Sequence, residues 1–146
     1  MTKAQDRSMH IELYIGKSGT GKTRAALTKY PNIYRKMTEV KWWENYEGQR
    51  EVLLDDYEGQ HAYREFLRIC DHYWSLWEVK GGYVVKNWDR VVITSNVVPA
   101  FWYRERDHIK ELARRLEEFG AIWLFLEDRT MRLDYKDLAD LSAEYH

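Results

Sequence analysis

Cysteine is nearly missing from this chain of 146 residues: Cys70 stands alone. A single thiol excludes an internal disulfide and suits a reducing compartment. Long apolar runs are missing too. No stretch of about eighteen apolar residues is present to span a bilayer, and residues 1–10 are too polar for a secretion signal. A soluble intracellular protein with no membrane partner is therefore expected. Charge of one sign is also lacking: 23 Lys and Arg against 24 Asp and Glu leave a net charge of −1. Proteins that coat duplex DNA broadly are basic, so any nucleic-acid contact here must be local. Low-complexity sequence is absent as well. What remains is an ordinary globular composition, 45% apolar, of a length that fits one domain with a real core. Seven Trp and eleven Tyr are many for this length, and they divide between the core and base stacking or an interface.

One stretch organises the rest. Gly16, Lys17, Ser18, Gly19, Thr20, Gly21, Lys22 and Thr23 form a complete G-x-x-x-x-G-K-[ST] loop. An apolar run (11–15) precedes it and a helix-forming stretch (24–29) follows, which is the strand–loop–helix context of a phosphate-binding P-loop. Glycines let the backbone turn sharply and bring its N–H groups close to phosphate oxygens. The following helix adds the positive end of its dipole. Lys22 is expected to reach the β- and γ-phosphates of a bound nucleotide, and Thr23 to ligate Mg²⁺.

Further along, residues 51–54 read as a buried strand ending in Asp55 and Asp56. An Asp pair alone reads as a strand-ending turn. Behind a P-loop, a carboxylate at such a strand end holds Mg²⁺, which assigns the metal to Asp55 and the attacking water to Asp56. Residues 62–71 read as a helix. Residues 77–79 and 83–85 read as a hairpin closed by Gly81 and Gly82. Lys80 and Lys86 flank it, either as contacts to single-strand phosphates or as solvated protection of a sheet edge. Residues 90–96 form another strand, and Asn96 at its end reads either as a turn before Pro99 or as a group beside the γ-phosphate. A charged helix is expected over 104–119, with Ile109, Leu112, Ala113 and Leu116 on one face and Gly120 as its stop. Arg114 and Arg115 in that helix compensate its dipole on the plainest reading. Residues 121–126 form a last buried strand, and beyond Glu127 the chain reads as polar, with a short helix over 135–142. Strands alternating with helices argue for an α/β fold, a mostly parallel sheet in three layers.

Taken in order, these motifs resemble the helicase domain of the replication initiator (Rep) proteins of circular single-stranded DNA viruses, circovirus-like ones above all. The residues that carry the likeness are the P-loop; Lys41-Trp42-Trp43; Val52 through Tyr57 with Gly59; Glu78-x-Lys80-Gly81-Gly82; Ile93-Thr94-Ser95-Asn96; Pro99-x-x-Trp102-Tyr103; and Arg114-Arg115-Leu116. They run from about residue 14 to residue 126. The resemblance implies a superfamily 3 helicase on an AAA+-like P-loop fold with a β-hairpin insertion. It implies Walker A at Gly16 to Thr23, Walker B at Asp55 and Asp56, and a sensor at Asn96. Arg115, in preference to Arg114, becomes an arginine finger entering a neighbouring subunit. Lys80 and Gly81, with less support for Lys86, become the hairpin that grips single-stranded DNA. ATP and Mg²⁺, a homo-oligomer (a hexameric ring in full-length context) and, for a eukaryotic virus, a host nucleus follow in the same way.

Two departures stand beside the likeness. About fifteen residues precede the P-loop, so neither the family's nickase domain nor its helical oligomerisation segment is expected, and Val79 stands where many relatives have Thr. The reading is thus a core over 1–126, with 1–9 as a lead-in, then a polar tail over 127–146. Its function is an ATP-dependent DNA helicase motor in rolling-circle replication. Two rivals share the P-loop: a small P-loop kinase, and a nucleotide-gated DNA-binding or assembly module without strong motor activity.

Overall fold

A computed structural model describes residues 8–134 and 136–137. The chain runs β1 (His10–Gly16), α1 (Lys22–Lys29), β2 (Tyr34–Lys36), β3 (Glu51–Leu54), α2 (Tyr63–Cys70), β4 (Leu76–Val79), β5 (Gly82–Val85), β6 (Arg90–Ser95), α3 (Arg106–Phe119), β7 (Gly120–Phe125) and β8 (Thr130–Leu133). Six strands make one sheet in the order β2-β3-β6-β1-β7-β8, and β4 and β5 pair separately. Five strands of the large sheet are parallel; only β8 runs antiparallel, against β7.

The alternation of side chains along each strand sorts the core into two layers. Leu53, Val92, Tyr14 and Phe125 face one side with Ala26 of α1. Val52, Leu54, Val91, Ile93, Leu13 and Ile122 face the other, with Phe66 of α2 and Leu112 and Leu116 of α3. Helices on both faces of a mostly parallel sheet give the expected three layers. The near-continuous apolar strands are explained by this burial on both faces.

α1 is pinned at its far end by the one acid within β1. Glu12 is 3% exposed and accepts from Tyr14 Oη at 3.0 Å, Lys29 Nζ at 3.0 Å, Arg90 Nη1 at 2.8 Å and Tyr30 Oη. Burial alone would raise its pKa, but bonds from Tyr30, Lys29 and Tyr14 outweigh that and hold it below the ordinary carboxylate value.

Half of the described Trp and Tyr residues are core. Trp43 is fully buried and stacks on Trp88 with centroids 4.5 Å apart; Trp77 lies 4.9 Å away, and Tyr34 and Tyr46 close the cluster. Through Trp77 the cluster carries the hairpin, and Trp43 N–H also donates to Glu78 O at 2.9 Å. The hairpin turn falls one residue earlier than the sequence suggests. Val79 pairs with Gly82, so Lys80 and Gly81 make the two-residue turn, with Gly81 at φ +88°.

The end of the chain departs from expectation more clearly. Residues 130–133 read as polar tail but form β8, which pairs on β7 by backbone bonds that need no apolar pattern. Most of the expected helix over 135–142 lies outside the described residues. The Trp43→Ala variant is expected to lose about 3–5 kcal/mol of stability, from lost contacts and the cavity left behind, read from its urea midpoint.

Candidate functional site

The P-loop grows directly out of β1. Gly16 ends that strand opposite Phe125, and a Cβ there would come 2.4 Å from Phe125 O. Its glycine is required by close packing against β7. Gly19 and Gly21 serve differently: both sit in the left-handed region, at φ +81° and +88°, and Gly21 caps the start of α1. Lys17, Ser18 and Gly19 are exposed. Lys22 is 5% exposed and donates to Gly16 O and Lys17 O, both at 2.7 Å. Burial pulls its pKa below the ordinary lysine value, opposed by the charges of Asp56 and Asp55. A buried ammonium bonded to carbonyls, with no carboxylate in hydrogen-bond contact, suits an incoming phosphate.

Strand periodicity assembles the other half. Asp55 follows Leu53 by two residues and Thr94 follows Val92 by two, so both continue the sheet face that α1 covers. Thr23, in the first turn of α1, donates to Asp55 Oδ1 at 2.7 Å. Thr94 donates to the same oxygen at 2.7 Å and accepts from Asp56 N–H at 2.9 Å. Arg35, paired opposite Leu53 on β2, donates to Asp55 Oδ2 at 3.1 Å. Burial works to raise the Asp55 pKa, but these bonds prevail and hold it low. A hydroxyl and an ionised carboxylate in contact are the hard oxygen donors Mg²⁺ takes, with phosphates and waters completing its shell. Among the described residues no group of three or more His, Cys, Asp or Glu could hold a metal ion.

Asp56 is exposed and holds φ +50°, a costly backbone for a non-glycine residue. Its backbone is fixed by Thr94 through N–H and by Gln60, whose Nε2 donates to Asp56 O at 2.9 Å. Asn96, exposed at the end of β6, lines a pocket of about 640 Å³ with Gly16, Lys17 and Thr20. The structure thus brings Lys22, Thr23, Asp55, Asp56 and Asn96 to one end of the sheet. Sequence reasoning missed Thr94 and Arg35. Thr94 had a signal, as a polar residue in an apolar strand; Arg35 had none.

The arginines lie elsewhere. α3 ends where β7 begins, and Ile11 pairs with Gly120 while Gly16 pairs with Phe125. Five residues of strand, about 16 Å, therefore separate the start of β7 from the P-loop. Arg114 and Arg115 come before the last helical turn, which carries no basic residue, so they do not compensate the helix terminus. Arg114 bridges Glu111 and Glu118; Arg115, with a side chain 18% exposed, donates to Glu111 at 3.3 Å. In the hairpin, Lys80 and Gly81 are exposed at the tip.

Lys86 corrects the expectation of a DNA contact. It is 3% exposed, and its ammonium donates to Arg68 O at 2.8 Å, to Asp71 O and to Asp71 Oδ1 at 3.2 Å. All three protons are used inside the protein, where they tie the hairpin root to the end of α2.

The parallel sheet and a loop of this kind between β1 and α1 define a P-loop nucleoside-triphosphatase fold. The profile of the RNA helicase family matches residues 13–97, the segment that holds the loop, both aspartates, the hairpin and Asn96, and the chain belongs to that family, in its superfamily 3 form. It is similar to replication-associated proteins of beak and feather disease virus (37% identity over 86% of this chain and 42% of that protein), goose circovirus (34%, 80% and 40%) and canary circovirus (31%, 98% and 47%). The chain therefore spans about two-fifths to one-half of these relatives. Among the described residues no helix is long and apolar enough to cross a membrane.

Lys86→Ala removes the buried ammonium that joins the Arg68 and Asp71 carbonyls and the partly exposed Asp71 carboxylate, and is expected to lower stability by about 3 kcal/mol in chemical denaturation. A DNA affinity that falls while the denaturation midpoint stays in place would return Lys86 to the DNA surface.

Proposed function

We propose that the chain is the motor domain of a viral replication initiator, an ATPase that hydrolyses ATP with Mg²⁺ and translocates on single-stranded DNA to open duplex during rolling-circle replication. The observation that carries this reading is the Thr23–Asp55 contact beneath a buried, phosphate-seeking Lys22. Similarity to circovirus replication-associated proteins supports the choice of polymer and of biological setting.

In this reading the P-loop amides and Lys22 hold the triphosphate. Thr23 and Asp55 would hold Mg²⁺, which when bound neutralises charge across the β- and γ-phosphates. Thr94 and Arg35 keep the Asp55 carboxylate aimed and ionised. Asp56 and Asn96 orient a water for attack on the γ-phosphorus; the bond to the bridging oxygen breaks, and Asp56 accepts the water's proton. Asp56 is free to do this because its backbone, not its carboxylate, carries the local bonds.

Arg115 lies too far along the sheet to serve its own loop, so a finger role requires a second protomer, which also makes the active form an oligomer, a hexameric ring in full-length context. Leaving Glu111 is the cost of that role. Lys80 at the hairpin tip contacts a phosphate of the single strand, with Gly81 allowing close approach of the backbone. One exposed lysine at each hairpin tip agrees with a chain of net charge −1: DNA is held at one point per protomer, by repetition around a ring.

The Lys22→Ala variant is expected to lose ATP hydrolysis completely in a phosphate-release assay; unchanged turnover removes the P-loop assignment. Arg115→Ala is expected to bind nucleotide normally and to hydrolyse it about a thousandfold more slowly. Mixing the two variants should recover part of the activity, because one protomer supplies the site and the other the finger. Failure to recover at every mixing ratio counts against a finger acting in trans.

A further inference from the structure

Arg35 enters the site from the outer edge of the sheet, and holding Asp55 uses little of what it offers. Along β2 the side chains alternate: Tyr34 and Lys36 are buried, and Arg35 between them is exposed. Arg35 lies opposite Leu53, on the sheet face that α1 covers nearer the middle, and Asp55 continues that face two residues on. Its guanidinium reaches Asp55 Oδ2 at 3.1 Å with the side chain still 55% exposed. A guanidinium carries five N–H donors in one plane. Among the described residues, Asp55 is the one hydrogen-bond partner of Arg35. We propose that Arg35 forks between Asp55 and the γ-phosphate of the nucleotide bound in its own protomer, and so makes the site prefer a triphosphate to a diphosphate. The inference rests on the P-loop binding a nucleoside triphosphate.

Three observations carry it. The first is reach. Thr23 touches Asp55 Oδ1 at 2.7 Å, so a terminal phosphate held by Lys22 and Thr23 comes beside that carboxylate. Arg35 already sits on the other oxygen of the same carboxylate. A planar fork that gives one N–H to an acid can give the next to an anion alongside it.

The second is charge. The γ-phosphate arrives next to Asp55 and Asp56, and like charges repel. Lys22 offsets that repulsion from the P-loop side. Arg35 stands across from it, on the β2 side of β3. A pin for Asp55 alone would not require a cation there, because Oδ1 already accepts from the hydroxyls of Thr23 and Thr94.

The third is a firm base. Lys36, the next residue, donates to Met37 O at 2.8 Å, to Trp42 O at 3.1 Å and to Val40 O, so all three of its protons close the turn after β2. Tyr34, the residue before, stacks on Trp43 and donates to Glu44 O at 2.8 Å. The backbone of Arg35 is thus fixed on both sides, while its side chain is left in the open to meet a ligand. A diphosphate has no γ group to offer it and leaves it on Asp55.

Calorimetric titration with ADP and with the non-hydrolysable β,γ-imido analogue of ATP, each with and without Mg²⁺, tests this. Arg35→Ala is expected to weaken binding of the analogue about tenfold, the loss of one charge-assisted contact, with ADP binding unchanged, which also shows that the variant is folded. The loss is expected to persist without Mg²⁺, because the guanidinium touches the phosphate itself. Arg35→Lys is expected to recover part of the affinity, since it keeps the charge and loses the fork. Equal losses for the two nucleotides, a loss seen only with Mg²⁺, or analogue binding indifferent to Arg35→Ala overturns the contact while leaving the P-loop reading intact. If the unsubstituted protein binds neither nucleotide, both readings fall.

Discussion

The structure turns on one carboxylate. Asp55 accepts from α1, from β6 and from β2, through Thr23, Thr94 and Arg35. These elements are far apart in sequence, and only the sheet order brings them together: β6 lies between β1 and β3. Were β3 adjacent to β1, Thr94 would have no place between the loop and the acid. A low pKa is the physical consequence, because three donors favour the charged form more than partial burial disfavours it. An acid that stays ionised while half-buried is the form a hard cation requires.

The same helix is held from its other end. Lys29 and Tyr30, at and just past the end of α1, bind Glu12 within β1. With Thr23 bound to Asp55 at its first turn, an eight-residue helix is clamped at both termini. Isolated helices this short are unstable in water, so the position of the phosphate-binding N–H groups is set by tertiary contacts and not by local preference. Glu12, which interrupts an otherwise apolar strand, is thereby part of what places the loop.

The fold is unevenly legible in the sequence, for physical reasons. Strand and helix positions were legible because burial on both faces leaves apolar runs of the right length, and the P-loop because its spacing is tied to its chemistry. β8 was not legible: a strand paired on one side only, with exposed side chains, needs backbone partners rather than apolar residues. Lys86 misled because a lysine near a hairpin reads as solvated, and nothing local reveals that the carbonyl of Arg68 and Asp71 close over it. Arg35 was invisible for a related reason, since its partner lies twenty residues away on the next strand. Of the candidate site, the loop and the strand-end residues Asp55, Asp56 and Asn96 were readable, and the side chains that hold Asp55 in place, Thr94 and Arg35, were not.

The hairpin and the nucleotide end of the molecule are joined by material that resists deformation. β3 ends at Asp55; the segment leading into β3 contains Trp43 and Tyr46, and these pack on Trp77 and Trp88 at the two sides of the hairpin. Glu44, next to Trp43, accepts from the Lys80 backbone at the hairpin tip. Stacked, fully buried indoles leave little room for independent movement. On the proposed reading, then, the hairpin does not swing against its own domain when the site changes state. It moves with the whole domain, and the displacement of Lys80 relative to DNA must arise where protomers meet, at the surface that carries Arg114 and Arg115. On that reading the working joint of the motor lies between chains, and the finger comes from a neighbouring protomer.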